Sequence, residues 1–331
     1  MTTHRKNSQP KVFKVAIIGL GNQSLNDHIP ALLRRTDISI SEVCDLNESS
    51  IRLFESKFSE ISESVEKYND IYKMPLNVDF CIVSLPHGEY FKVAKYLVSK
   101  KIPFIKEKPF ARNKKEMMKI LSIPGIEKYC FICSQRRYNP IYIQALSMKE
   151  KLGNLYLFNA VYKLKILEPH IGWRGNKKIA GGGCLIDMGY HIIDQLLWWF
   201  GEPDQIFTST SSLAIPDVSD YAEDTAIVSF KYKDGLHGTI ILSRTAGEKK
   251  EEYLLVGSKG QLCWNKKSLL LNDKEGTEQF SMEIDDDKKM MDIQLQVFIN
   301  RIINDKGFED IILQHKMNME FIEKCYLLNK N

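Results

Sequence analysis

Residues 11–24 read KVFKVAIIGLGNQS, and residues 28–33, HIPALL, follow them. The β-branched run at 11–18 suits a strand buried in a parallel sheet. Gly19-Leu20-Gly21-Asn22-Gln23-Ser24 comes directly after it, and HIPALL reads as helix. Strand, glycine turn and helix together are the setting in which a GxGxxG pattern carries meaning. Gly19 makes the tight turn, and Gly21 lets the backbone approach a pyrophosphate at a helix N-terminus. Ser24 stands in place of the third glycine: small enough to keep helix and strand close, but a weaker form of the motif. The first expectation is therefore a dinucleotide-binding fold.

Working outward, residues 38–44 form the next strand and end at Asp45. An acid there is placed to bond a ribose 2′-hydroxyl. Leu46 and Asn47 follow, with no arginine to receive a 2′-phosphate, so NAD is favoured over NADP. A helix-capping role for Asp45, ahead of Glu48-Ser49-Ser50, stays open. Strands at 78–84, 103–106 and 129–134 alternate with helices at 90–100 and 114–121. That rhythm makes a doubly wound parallel sheet, with ligands outside the carboxyl ends of its strands. Leu85-Pro86-His87 and Glu107-Lys108-Pro109 fall at such ends.

From Gln135 the character changes. A helix runs to Lys149 and a strand covers 154–166. Further strands are expected at 205–213, 225–232, 236–244, 252–256, 261–264 and 268–271. Strands in succession without helices between them indicate an antiparallel sheet. Helices at 290–304 and 313–328 finish the chain. The expected division is 11–134 for the dinucleotide domain and 135–331 for an α+β domain with an open, mainly antiparallel sheet.

Between the strands of the second half lies GGGCLIDMGYHIIDQLLWWFG, residues 181–201. On a helix, Asp187, His191, Asp194 and Trp198 share one face. The remaining surface is nearly all apolar, so the helix is expected to be buried. A buried acid and histidine one turn apart must be paired, ligating or working. Asp194 reads as structural, and Trp198 and Trp199 as core or interface. Gly189, mid-motif, would let the helix pass close to the nicotinamide or to the sheet.

Composition narrows the rest. The chain has 331 residues, enough for two domains with cores of their own. Forty-six basic and forty-two acidic side chains leave a formal charge of +4, too small and dispersed to argue for nucleic acid. No apolar run approaches the roughly 20 residues that cross a bilayer, so no membrane partner is expected. Residues 1–10, MTTHRKNSQP, read as a polar leader and not a secretory signal. Seven unpatterned cysteines argue against a disulfide framework and for a reducing, cytoplasmic compartment. Cys130 and Cys133 form a CxxC within a strand-like run, where alternation points them apart. They read as structural thiols. No metal site is expected, since Asp187 and His191 lack an evident third ligand.

The glycine turn with His28 and Pro30, then Glu107-Lys108-Pro109, Arg137-Tyr138-Asn139-Pro140, Trp173-Arg174 and GGGxLxDxGxHxxD occur in one order. Together they resemble the Gfo/Idh/MocA family of glucose-fructose oxidoreductase and inositol dehydrogenase, over nearly the whole chain. The departures are Ser24 and Tyr90, where many members have a histidine. The resemblance implies a Rossmann domain followed by an open-faced sheet domain, a nicotinamide cofactor, and a homodimer or homotetramer assembled through the sheet faces. It implies a cis Lys108–Pro109 bond. The family's catalytic lysine falls on Lys108, and its acid and histidine on Asp187 and His191. Its cofactor loop falls on Gly19, Gly21, Asn22, Gln23 and Ser24, with Asp45 at the ribose. Leu85, Pro86, His87, Glu107 and Lys108 flank the cofactor. Trp173 and Arg174 are further cofactor contacts. Arg137, Lys163 and Arg174 join Lys108, Asp187 and His191 as substrate candidates.

The implied activity is oxidation of a secondary hydroxyl, or reduction of the ketone, on a sugar, amino-sugar, nucleotide-sugar or cyclitol. His191 is the natural base, Lys108 the group that meets the reacting oxygen, and Asp187 the partner of the imidazole. Two other functions stay open: an NAD-dependent glycoside hydrolase of the same fold, and a non-catalytic dinucleotide-binding regulator.

Overall fold

The structure is a computed structural model that describes residues 11–216, 218–281 and 286–329. The leader read at residues 1–10 lies outside the described residues. β1 (Phe13–Ile18), β2 (Ile38–Cys44), β3 (Glu66–Tyr68), β4 (Phe80–Val83), β5 (Phe104–Lys106) and β6 (Cys130–Ile132) form one sheet. Its order is β3-β2-β1-β4-β5-β6 with every pair parallel, the doubly wound arrangement. Phe80, Cys81, Ile82 and Val83 are all buried, which is why β4 is a continuous apolar run. Ile17 is paired with Val43 on one side and Ile82 on the other, so β1 sits at the point where the strand order reverses. The charged, half-exposed β3 was not expected. It is a short edge strand with no apolar pattern to reveal it.

The second sheet has the order β14-β13-β12-β11-β7-β10-β9-β8. Its strands are β7 (Leu155–Lys165), β8 (Gln205–Ser211), β9 (Thr225–Lys231), β10 (His237–Ser243), β11 (Thr245–Gly257), β12 (Gly260–Trp264), β13 (Ser268–Asp273) and β14 (Gly276–Ser281). All neighbours are antiparallel except the central pair β7 and β10. Ala226, Val228 and Phe230 on β9 alternate with more exposed residues, so one face of the sheet carries the core. β11 begins seven residues before the expected strand, because its first part, Thr245 to Lys250, is polar and exposed. β14 is exposed along its whole length and has no alternation to read.

Helix Gly189–Phe200 covers the buried face of this sheet, and helix Glu309–Leu328 packs behind it. The expected continuous helix over 181–201 is interrupted. A short turn, Cys184–Asp187, ends at Met188 before the longer helix starts. At Gly189 a Cβ would stand 2.6 Å from Leu242 Cδ1 of β10, so the helix lies directly on the sheet. The expectation of a close approach there is met on the sheet side. The C-terminal helices also return to the first sheet. Phe298 and Phe308 stack at 5.5 Å and meet Phe131 at 5.7 and 5.6 Å, completing the core beneath β1 and β4.

Candidate active site

The carboxyl ends of β1, β2, β4 and β5 open on one edge of the parallel sheet, and each delivers residues read from the sequence. Gly19 has φ of +91°, and a Cβ there would stand 2.1 Å from the Ser84 carbonyl oxygen, so no other residue fits the turn. Gly21 faces open space, with no atom within 4 Å of where its Cβ would be. That gap fits a pyrophosphate approaching the backbone. Ser24 is buried and its Oγ donates to the Gly19 carbonyl at 2.6 Å, tying the turn to the following helical residues. Asn22 and Gln23 lie beside this opening, Asn22 exposed and Gln23 partly buried.

Asp45 ends β2 and accepts from the backbone N–H groups of Leu20 at 2.7 Å and Asn47 at 2.8 Å. One carboxylate thus joins the glycine turn to the end of β2. The cap of the next helix is Asn47, whose side chain accepts from the Ser49 N–H, so the alternative capping role for Asp45 falls to its neighbour.

Leu85, Pro86 and His87 follow β4. His87 Nδ1 is 2.8 Å from the Ala180 carbonyl, and its ring meets Trp173 edge-on at 4.6 Å. Arg174 in turn lies over Trp173 at 4.4 Å. The loop carrying Trp173 and Arg174 therefore docks against His87, in the loop that follows β4. Burial pushes the His87 imidazole down to about 3, which leaves it neutral near pH 7.

Glu107 and Lys108 follow β5, and the Lys108–Pro109 bond is cis. Lys108 Nζ donates to the Asp187 backbone oxygen at 2.9 Å and to its Oδ1 at 3.0 Å. Arg174 Nε stands 3.8 Å from the other carboxylate oxygen. Burial opposes the ionised Asp187, but Lys108 and then Arg174 hold its carboxyl below the usual carboxylate range. This corrects the expected pairing. Asp187 bonds Lys108, and among the described residues no hydrogen bond joins it to His191. The break at Met188 is the reason: the two residues belong to separate helical pieces and not to one continuous face.

His191 faces a cavity of about 210 Å³ together with Lys108, Gln23, Gln135, Arg136, Tyr162 and Lys266. Met290 and Met291 close its other side. Burial, reinforced by the positive charges of Arg136, Lys108 and Lys266, holds the imidazole well below its ordinary range. A neutral imidazole beside a lysine–carboxylate pair can take a proton from a hydroxyl while the ammonium bonds the same oxygen.

Two expected substrate contacts sit elsewhere. Arg137 makes paired bonds to Asp194 at 2.8 and 2.9 Å and lies 5.2 Å from the Trp198 ring. Asp194 also accepts from Ser134 and Asn318, so its structural role stands and Arg137 is drawn into it. Trp199 stacks on Trp264 at 4.9 Å in the core. Lys163 is adjacent to Tyr162 on β7, and strand alternation puts it on the opposite, open face of the sheet. Tyr162 is the β7 residue that reaches the cavity.

Arg136, passed over for its neighbour, makes paired bonds to Glu251 at 2.6 and 2.7 Å. Tyr142 and Tyr253 donate to the same carboxylate at 3.0 and 2.9 Å. Against the effect of burial, Arg136, then Lys266 and Tyr253, hold Glu251 down to about 2. Glu251 could have been found, since it falls in phase with buried Tyr253 and Leu255 on β11. An acid on the apolar side of an alternating strand needs a partner.

Near the turn, His28 Nε2 donates to Glu107 Oε1 at 2.7 Å. With Cys133 they bring three potential ligand atoms within 4.8 Å of one another, all buried. This grouping has no signature in the sequence. Burial disfavours the Glu107 carboxylate, but the bond from His28 keeps it ionised, so the acid is already satisfied within the protein.

Comparison with known proteins decides the family. Residues 13–124 match the family described as an oxidoreductase family with an NAD-binding Rossmann fold. Residues 142–263 match the GFO/IDH/MocA C-terminal domain. The chain belongs to the Gfo/Idh/MocA oxidoreductase family. Among its relatives in that family, trans-1,2-dihydrobenzene-1,2-diol dehydrogenase of Danio rerio is 26% identical over 65% of this chain and 64% of its own length. The rhizopine catabolism protein MocA of Rhizobium meliloti is 24% identical over 70% of this chain and 71% of its own. The first match thus spans just under two thirds of the relative. A levoglucosan dehydrogenase, solved with NADH and levoglucosan, superposes with a TM-score of 0.84 at 15% identity, over 97% of this chain and 98% of its own. That likeness extends the Gfo/Idh/MocA fold over both sheets. The parallel-sheet half of this family member is an NAD-binding Rossmann domain, and no helix among the described residues is long and apolar enough to cross a membrane.

Proposed function

We propose that this chain is an NAD-dependent dehydrogenase acting on a secondary hydroxyl of a sugar, amino-sugar, nucleotide-sugar or cyclitol. The observation that carries the reading is the meeting of Lys108, Asp187 and His191 at the cofactor edge of the Rossmann sheet, beside one polar cavity. The nicotinamide, when bound, supplies the hydride acceptor. Gly19, Gly21, Asn22, Gln23, Ser24 and Asp45 hold the dinucleotide, with Leu85, Pro86, His87, Glu107, Trp173 and Arg174 around the nicotinamide end. His191 takes the hydroxyl proton during oxidation and returns it during reduction. Lys108 bonds the reacting oxygen and stabilises the charge that develops there. Asp187 aims Lys108, and Arg174 braces Asp187.

His191→Ala is expected to lower turnover by about 10²–10⁴-fold while NADH affinity stays within a few-fold. A panel of neutral sugars, sugar phosphates, nucleotide sugars and inositols, assayed with NAD for NADH absorbance, tests the reading. Net NADH accumulation supports a dehydrogenase. Product release without it points to the glycoside hydrolase, and binding of NADH with no reaction on any substrate points to the regulator.

A further inference from the structure

Lys106, the last residue of β5, is 1% exposed and has no part in the chemistry above. A buried ammonium needs partners for its three donors. Its Nζ donates to the Glu107 carbonyl at 2.8 Å and to the Pro109 carbonyl at 2.6 Å. The third side is the face of Tyr90, with the ring centroid 3.7 Å away. Among the described residues no carboxylate bonds this amine. Burial pushes it down to about 8, with the charge of the nearby Glu107 acting in the opposite sense.

The two carbonyls belong to the residues on either side of Lys108. One cation therefore grips the main chain before and after Lys108, and the direction in which that side chain leaves the turn is set from both sides. Tyr90 carries the link further, because its Oη accepts from the Leu85 N–H at 3.0 Å, at the start of the loop flanking the cofactor. The backbone oxygen of Lys106 also accepts from Cys133 N–H at 2.8 Å, which anchors its own position in the sheet.

We propose that Lys106 is a positioning residue: its buried ammonium clamps the Glu107 and Pro109 carbonyls and so aims Lys108 at Asp187 and at the substrate oxygen. Tyr90 is the ring that makes this ammonium tolerable in the interior, and it couples the clamp to the cofactor loop. The proposal rests on the reading of Lys108 as the group that meets the reacting oxygen.

Lys106→Met keeps the length and apolar stem of the side chain and removes the clamp. Two readouts follow on the NADH complex. The first is the acetylation rate of Lys108 by acetic anhydride, measured by peptide mass spectrometry against the exposed Lys233 of the same sample. It is expected to rise several-fold as Lys108 leaves Asp187. The second is kcat per titrated NADH site on a substrate from the panel, expected to fall by about 10²-fold with KM changed far less. Unaltered labelling, or an unaltered kcat per NADH site, would overturn the proposal. A structural role alone would lower the number of NADH sites and leave kcat per site where it was. Should Lys106→Met fail to bind NADH, Lys106→Leu, which also removes every donor, takes its place: faster Lys108 labelling with a lower kcat per site supports the clamp, and no change in either overturns it. Should the wild-type protein turn over nothing in the panel, the dehydrogenase reading fails, and the labelling readout still decides whether Lys106 aims Lys108.

Discussion

Lys108 and Asp187 are 17% and 22% exposed, so their ion pair is neither a solvated surface contact nor a fully dry one. Its value lies in direction, because Asp187 binds the ammonium through both a carboxylate and a backbone oxygen. Asp187→Asn preserves shape and removes charge. It is expected to lower kcat by about 10²-fold with NADH affinity nearly unchanged, as steady-state kinetics and fluorescence titration would measure. His191 titrates below its ordinary range, so it is deprotonated and competent as a base throughout the neutral region. The rate of alcohol oxidation should therefore hold as pH falls through 6.5 and decline only in more acid solution; an acid limb centred at or above 6.5 contradicts this. At this scale the sequence was legible where a residue is fixed by a turn or a strand end, as with Gly19, Asp45 and Lys108. It was not legible where pairing register decides. Tyr162 and Lys163 differ by one position on β7, and only the alternation of that strand tells which of them lines the cavity.

The GGGCLIDMGYHIIDQLLWWFG stretch shows the same limit for an element. Its apolar burial could be read directly, but the break at Met188, which separates Asp187 from His191, has no signature in hydrophobic spacing. The glycines ahead of it are set by contacts across the fold. A Cβ at Gly183 would stand 1.9 Å from the Glu223 carbonyl oxygen, a backbone atom that also accepts from Cys184 N–H. Gly183→Ala is expected to destabilise the protein by about 1–3 kcal/mol or more, read from chemical denaturation. The β11 strand carries a second dependence. Glu251→Gln would leave Arg136 without its buried counter-charge, at an expected loss of about 3–5 kcal/mol. Strands β3 and β14 could not be read because an exposed edge strand has no buried side to impose alternation.

At the scale of the molecule, the second sheet has one face that no helix among the described residues covers. Phe207, Ile227 and Ile241 on that face are 65%, 42% and 40% exposed, and Ile227 and Ile241 are direct neighbours in register. An apolar sheet face of this kind is where the homodimer or homotetramer implied by the family resemblance would assemble. Ile227→Glu with Ile241→Glu is expected to convert a dimer or larger species into a monomer by sedimentation velocity, with NADH still bound. The buried imidazoles contribute to the acid response of the fold, beside the buried carboxylates held below their usual range. His87 and His315 titrate at about 3, below the value of 6.5 for an unfolded histidine, so the unfolded chain takes up protons first. Their contribution is fully present above pH 6.5 and is lost as pH falls from 6.5 toward 3, which thermal unfolding across that window would register. The overall architecture was legible because strand, turn and helix periods are local, whereas the meeting of Lys108 with Asp187 and His191 needs the two sheets to be placed against each other.

The proposed reaction passes hydride between an alcohol carbon of the substrate and NAD beside Lys108 and His191. The most direct test incubates the protein with NAD and a panel of cyclitols and sugars deuterated at their carbinol carbons, and follows deuterium in the cofactor by mass spectrometry. Deuterium appearing in net accumulated NADH, and its loss in His191→Ala, is the result expected. Stoichiometric NAD binding with no deuterium reaching the cofactor from any member of the panel would contradict the account.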